Sequence, residues 1–412
     1  MFNLYDCSCF KIVIPVISLF INHKIVIMNS KSTLSRILSN EKAPGILLIL
    51  CTIFSLIIAN SVFGDDYHHF WTTMLPLGNI EFWINDGLMA IFFLFVGLEL
   101  KKEIYTGELS NIKAALLPVF AAIGGVLVPA AIYMYFNHDT STAHGWGIPM
   151  ATDIAFALGI LSLLGNRVPL GLKVFLTALA VIDDLMAILV IGFFYTSNFN
   201  GINLLISLGI LTILFVLGKR NVNYLWLYLI LGAFAWYFML QSGVHATIAG
   251  VLLAFTIPFS KLKTQSSLST ELEHSLAKPV SFIILPLFAL ANTAVLIDAT
   301  AINGLLHNNA LGIYSGLILG KPLGITLFSF FVISLGWCKL PNAVNWKHLF
   351  AVACLGGIGF TMSIFITNLA FSNQEDIVIS KLAILISSTI AALLGYTLLQ
   401  FTLKNNKIDK EV

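Results

Sequence analysis

Charge is what this sequence has least of. Only 10% of its 412 residues are Asp, Glu, Lys or Arg, against about 25% in soluble domains. A surface that poor in charge excludes an ordinary soluble fold. The net charge is only +2, and the basic residues are dispersed through short loops, which excludes a nucleic-acid surface built on clustered Lys and Arg. Cysteine is scarce as well. Cys7, Cys9, Cys51, Cys338 and Cys354 form no C-x-x-C pair, so neither a zinc site nor a disulfide framework is expected, and most are read as small buried apolar side chains. What is abundant is apolar: 58% of the residues are hydrophobic. The chain reads as an all-α polytopic membrane protein.

The first 27 residues stand apart. The apolar run 12–21 is too short to span a bilayer and has the length of a signal-peptide core. Cleavage there would place Lys31, Arg36 and Lys42 on the side opposite to all other basic loops. The preferred reading is a dispensable extension, 1–27, with Met28 as the true start, followed by a single membrane domain, 28–412.

Twelve apolar segments follow, at about 45–61, 83–100, 112–136, 146–164, 172–195, 202–218, 224–242, 245–258, 280–297, 311–334, 347–371 and 378–401. The eighth is short for a span. After Met28, every Lys and Arg except Lys321 and Lys381 falls in or beside alternate loops. The intervening loops carry Asp65, Asp66, Glu81, Asp139, Asp298, Glu375 and Asp376 and no Lys or Arg. By the positive-inside rule both termini are cytoplasmic. Lys381, one turn inside the last span, is expected to snorkel to the outer surface. Lys321 sits too deep for that.

Four ionisable side chains are thereby placed at depth: Asp153, Asp183, Asp184 and Lys321. Each Asp at the centre of a spanning helix costs roughly 2.5–3.5 kcal/mol, and such residues mark ion or proton paths. Asp183 and Asp184 are adjacent. Consecutive helical residues point about 100° apart, so one can face a water-filled cavity while the other faces a partner helix.

Two spans also carry breaks. Pro149 precedes Thr152 and Asp153, removing a helical hydrogen bond and leaving either residue able to cap the helix that resumes. The eleventh span contains Gly356-Gly357-Ile358-Gly359-Phe360-Thr361-Met362-Ser363, a glycine density that points to unwound backbone or very close packing. In a twelve-span count the fourth and eleventh spans run in opposite directions. If both break at mid-membrane, two helix N-termini meet on one side and two C-termini on the other, calling for an anion and a cation. Asp153 and Lys321 have the matching signs; alternatively, Lys321 pairs with a carboxylate and stabilises packing.

The motifs Ala151-Thr152-Asp153, Ile182-Asp183-Asp184, Leu319-Gly320-Lys321-Pro322-Leu323-Gly324 and Gly357-Ile358-Gly359-Phe360-Thr361-Met362-Ser363 resemble those of the bacterial NhaA sodium/proton antiporters. So do Phe95-Val96-Gly97-Leu98-Glu99 and Ser242-Gly243-Val244-His245-Ala246-Thr247. The likeness runs from about Asn40 to the last span. It implies inverted-topology repeats, at about 112–195 and 311–401, with discontinuous fourth and eleventh spans crossing beside the ion site. It implies a secondary active antiporter of the bacterial inner membrane, exchanging cytoplasmic Na+ or Li+ for external H+ by alternating access, pH-regulated and electrogenic, with no cofactor and no enzymatic activity.

By the same resemblance Asp184 is the principal Na+ ligand and proton acceptor, with Asp183 beside it. Asp183 pairs with Lys321 in one state and releases it in the other, while Thr152 and Asp153 tune the crossing. The chemistry is independent of the likeness: a carboxylate holds a proton or a hard cation, not both, and two adjacent carboxylates titrate as a pair. Asp86 and Glu99 flank the second span; Glu99 reads either as an interfacial charge or as a funnel residue. His245 reads as a pH-sensing group or as a histidine hydrogen-bonded at a helix start. The resemblance puts a pH-responsive cluster at Glu273 and His274, where Lys278 stands in place of a second expected histidine. Segment 62–79 occupies the place of an exterior β-hairpin that joins a homodimer, or is a plain surface loop.

Competing readings are an intramembrane aspartyl protease, a sodium-coupled organic-solute symporter and a channel. The protease would require Gly-x-Gly-Asp, whereas Phe360 follows Gly359. The symporter would not need a buried Lys321.

Overall fold

The structure, a computed structural model, describes residues 42–196, 199–260 and 267–408. The expected extension 1–27 and the start at Met28 lie outside the described residues.

The described chain is almost wholly helical. It runs through α1 (Ala43–Ala59) and α2 (Gly64–Thr72) into a hairpin of β1 (Met74–Leu75) and β2 (Gly78–Asn79). There follow α3 (Ile80–Thr106), α4 (Ile112–Asn137), a tightly wound stretch Ser141–Met150 leading to α5 (Ile154–Leu163), and α6 (Leu170–Phe194). Next come α7 (Gly201–Lys219), α8 (Leu225–Gln241), α9 (Thr247–Thr256), α10 (Leu268–Asn292) and α11 (Asn308–Ser334). The last are α12 (Trp346–Gly356), α13 (Phe360–Ala370) and α14 (Gln374–Ile408). Without water in the hydrocarbon layer, a helix is the form in which a segment satisfies its own backbone. Loop side chains close the ends: Asn79 accepts from Phe82 N at 2.7 Å, Ser267 from Thr270 N at 3.2 Å and Asn345 from His348 N at 2.9 Å.

Among the described residues, seven helices are long and apolar enough to cross a membrane, or up to ten spans if each of three bent helix pairs counts as one. The protein is therefore a multi-span membrane protein. Two more apolar helices, α8 and α9, are shorter. At 1.5 Å per residue the 10 residues of α9 reach about 15 Å, half the hydrocarbon thickness. The helix can stop early because Lys101 takes up its terminal carbonyls: Nζ donates to Ala254 O at 3.2 Å, to Phe255 O at 3.1 Å and to Ile257 O.

In segment 62–79 the chain turns by 114° between α1 and α2 before forming the hairpin, so α2 does not prolong the span. Two lysines differ from their sequence reading. Lys101, expected in or beside a basic loop, is buried, and Lys381, only 6% exposed, lines a cavity at the acidic-loop end rather than reaching open surface. Of the described cysteines only Cys354 is buried; Cys51 and Cys338 are half-exposed.

The helices α4 and α11 approach each other closely through a pair of facing glycines. A Cβ on Gly324 would lie 2.1 Å from Gly124 O, and one on Gly124 would lie 2.2 Å from Gly324 O. Only glycine at both positions lets the two backbones approach this far.

Candidate ion-binding site

Two bent helix pairs, Ser141–Met150 with α5 and α12 with α13, meet at their breaks. The bend is 42° between Ser141–Met150 and α5, and 44° between α12 and α13. Ala151 and Asp153 are extended, with ψ of 150° and 102°, as the missing Pro149 N–H allows. In the other break a Cβ on Gly357 would fall 2.4 Å from Leu317 O. Each break supplies partners for the other. Asp153 N donates to Ile358 O at 2.7 Å, Thr152 Oγ1 to Gly356 O at 2.7 Å and Ser363 Oγ to Ile148 O at 2.7 Å. Ser388 on α14 accepts from Phe360 N at 3.1 Å.

Asp153 serves two helix N-termini together. One oxygen accepts from Phe156 N at 2.9 Å in α5; the other accepts from Thr361 N at 3.2 Å and from Thr361 Oγ1 in α13. A carboxylate at two positive helix ends is favoured electrostatically. Lys321 does not answer the opposite, carbonyl ends. Those are met by Thr152 and Ser363 hydroxyls, and the Lys321 ammonium pairs with Asp183 Oδ2. A buried ammonium gains more from a full negative charge than from partial charges on carbonyls. A wide turn at Gly316–Gly320 immediately before Lys321 aims the side chain, and a Cβ on Gly125 of α4 would come within 3.6 Å of its Nζ.

Asp183 and Asp184 are 0% and 1% exposed on α6, yet they face different surroundings. Asp183 is held by Lys321, with Thr152 beside it. Asp184 lines a cavity of about 470 Å³ together with Asp153, Thr361, Glu99, Lys173 and Ser162. One oxygen of each, Oδ1, is buried without a hydrogen-bond partner. The arrangement can receive a small cation or a proton at Asp184 from the cavity side, while Asp183 is already neutralised. Thr361, Ser363 and Ser388 are the site residues that sequence reasoning did not single out. Thr361 and Ser363 lie within a quoted motif, but only the packing shows which carboxylate or carbonyl each hydroxyl meets.

The remaining candidates are dispersed. Glu99 lines the cavity within electrostatic reach of Glu273 and Lys102. Glu273 is buried and pairs with Lys102 at 2.8 Å, while His274 is exposed. These groups stand at the basic-loop end of the cavity. Asp86 lies 13 residues before Glu99 on α3, about 20 Å along the helix, so it is not part of this group; its carbonyl accepts from Trp236 Nε1 at 3.1 Å. His245 Nε2 meets Tyr195 O, the end of α6, at 2.8 Å, which ties the α8–α9 loop to the far end of the helix that carries the two aspartates.

The chain matches the profile of the family described as Na+/H+ antiporter 1 over residues 35–399. It is 58% identical to a Na(+)/H(+) antiporter NhaA of Flavobacterium psychrophilum over 372 residues, which is 90% of this chain and 97% of that protein. Similar relatives are the Na(+)/H(+) antiporter NhaA of Cytophaga hutchinsonii, 57% identical over 91% of this chain and 97% of its own, and that of Dechloromonas aromatica, 57% identical with the same two shares.

Proposed function

The chain belongs to the Na+/H+ antiporter family, and on that premise we propose that it exchanges cytoplasmic Na+ or Li+ for external H+ across the bacterial inner membrane. The observation that carries this reading is the split environment of the two aspartates: Asp184 open to the cavity with an unpartnered oxygen, Asp183 closed on Lys321. The cavity reaches Lys173, on the side of the basic loops, which is cytoplasmic by the positive-inside rule. Twelve spans are reached when α8 counts as a span and α9 as a half-length one completed by the non-helical segment 242–246 before it, beside the seven long helices, α1 and the two interrupted pairs. Both termini are then cytoplasmic, and 112–195 and 311–401 are the inverted repeats. Segment 62–79 is the dimer contact.

Exchange follows from competition. A cation arriving from the cavity displaces the proton of Asp184. Asp183 then turns from Lys321 to the cation, completing an oxygen shell with hydroxyl and carbonyl groups at the break. Lys321, left buried without a counter-charge, is costly as an ammonium and gives up its proton. Two protons leave as one Na+ binds, so the cycle moves net charge. Thr152 and Asp153 hold the crossing while the site alternates its opening, and Glu99, Glu273, Lys102 and His274 set the pH response at the cavity mouth. A protease is disfavoured: Asp153 has both oxygens engaged in capping and cannot act as the second catalytic carboxylate.

The test is proton flux in inverted membrane vesicles. A respiratory pH gradient is formed and followed with a fluorescent amine while NaCl, LiCl, KCl or choline chloride is added. Na+ and Li+ alone should collapse the gradient, and Asp184→Asn should abolish the response. A response that survives in Asp184→Asn moves the site elsewhere. No sodium response at any pH overturns the antiporter reading.

A further inference from the structure

Three asparagines from three helices meet on the far side of the ion site from its cavity. Asn292, at the end of α10, is fully buried. Its Nδ2 donates to Asn85 Oδ1 on α3 at 2.7 Å and to Phe288 O at 3.1 Å. Its Oδ1 accepts from Asn368 Nδ2 on α13 and from Asn85 Nδ2 at 3.4 Å. Deeper on the same three helices lie Phe93, Phe288 and Phe365, all buried. Phe365 packs on Phe93 with ring centroids 5.5 Å apart and on Phe288 at 6.4 Å.

Along α10, these two layers fall between two cavities. The inner one touches α10 at Val280, Ser281 and Leu285 and α13 at Thr361 and Met362, short of the Phe layer. A second cavity, of about 490 Å³, touches Ala291, Ala294 and Val295 and is walled by Glu81, Asp298 and Lys381. It lies at the end that carries the acidic loops. We propose that Asn85, Asn292 and Asn368 are the latch of the outer gate, joined when the site opens inward and parted when it opens outward.

The chemistry suits a reversible closure. Dry, the three amides satisfy one another. Once parted by incoming water they exchange these bonds for hydration, and each amide–amide bond is worth little net in that exchange. An all-apolar seal would instead expose hydrocarbon when it opened. Because α13 carries Thr361 of the site while α3 and α10 form the facing wall, the outer route to Asp184 opens only if Asn368 leaves Asn292. The inference rests on the exchange reading for its alternating cycle, but its first readout needs no ion flux.

The experiment uses the full chain in oriented vesicles, with the five native cysteines replaced by Ser and Leu285→Cys as reporter. Labelling by a membrane-impermeant thiol reagent is timed from each side. Adding Asn368→Leu should raise labelling from outside at least fivefold and lower it from the cytoplasmic side. In a second chain, Asn292→Cys with Asn368→Cys is bridged by a short thiol crosslinker. Bridging should cut Na+-driven proton exchange at least tenfold, with recovery on reduction. Unchanged labelling in Asn368→Leu, with only a lower melting temperature, makes the cluster a packing element and overturns the proposal. So does exchange that persists in the bridged chain. Absence of exchange in the unsubstituted chain would instead count against the antiporter reading, and the labelling arm would still decide the latch.

Discussion

Asp183 and Asp184 are adjacent and equally buried but meet different partners, because a 100° step along a helix sends one to Lys321 and the other to the cavity. Breaking a buried ion pair from one side leaves an uncompensated charge and costs about 3–5 kcal/mol, whereas removing both charges is often nearly neutral. Lys321→Met should therefore lower the melting temperature of the detergent-solubilised protein strongly and cut Na+-driven exchange at least tenfold. Lys321→Met with Asp183→Asn should recover most of the stability and none of the exchange. Thermal unfolding beside vesicle flux checks both halves; a double variant as unstable as the single one would show that the pair is not what stabilises the packing.

At the scale of elements, two features allow non-standard helices inside a membrane. The two bent helix pairs supply hydrogen-bond partners to each other's breaks, with Asp153 across both N-termini. The short α9 ends on the Lys101 ammonium. Orphaned buried carbonyls cost about 1–3 kcal/mol, so Lys101→Met should destabilise the protein by that order while leaving the sodium response of the folded fraction within about twofold, since Lys101 is absent from the cavity lining. Melting curves with flux per folded protein would decide it. A loss of flux at unchanged stability would instead give Lys101 a transport role. Which glycines matter is equally an element-scale question. Gly124 and Gly324 are indispensable for the α4–α11 approach, whereas a Cβ on Gly209 would meet nothing within 4 Å.

For the whole molecule, the proposed competition between H+ and Na+ at the Asp183–Asp184 pair predicts a pH-dependent affinity for Na+, beside any response of the groups at the cavity mouth. As pH falls, protons occupy the site and the KM for Na+ rises: about tenfold per pH unit if one proton is displaced and about a hundredfold if two are, by linkage. Measuring KM across several pH values in the vesicle assay distinguishes these slopes, and a KM that is flat with pH rules out a shared site. A slope near the steeper limit would support charge-moving exchange through both Asp184 and the Asp183–Lys321 pair.

Much of this was decided by the linear sequence. Scarce charge placed the chain in a membrane, since spans that poor in charge cannot be solvated. Pro149 and the glycines around Ile358 pointed to the places where the helices break, and Thr152 and Asp153 just after Pro149 were the two candidates for the cap, of which packing selected Asp153. All of these depend on neighbours a few residues apart. Tertiary structure decided the rest: that Lys321 meets Asp183 across 138 positions rather than the helix carbonyl ends, that Lys101 and Lys381 are buried, and that Asn85, Asn292 and Asn368 converge. The physical reason is that spacing along a helix sets which face a side chain occupies, whereas its partner depends on which helix packs against that face, and composition carries no record of that.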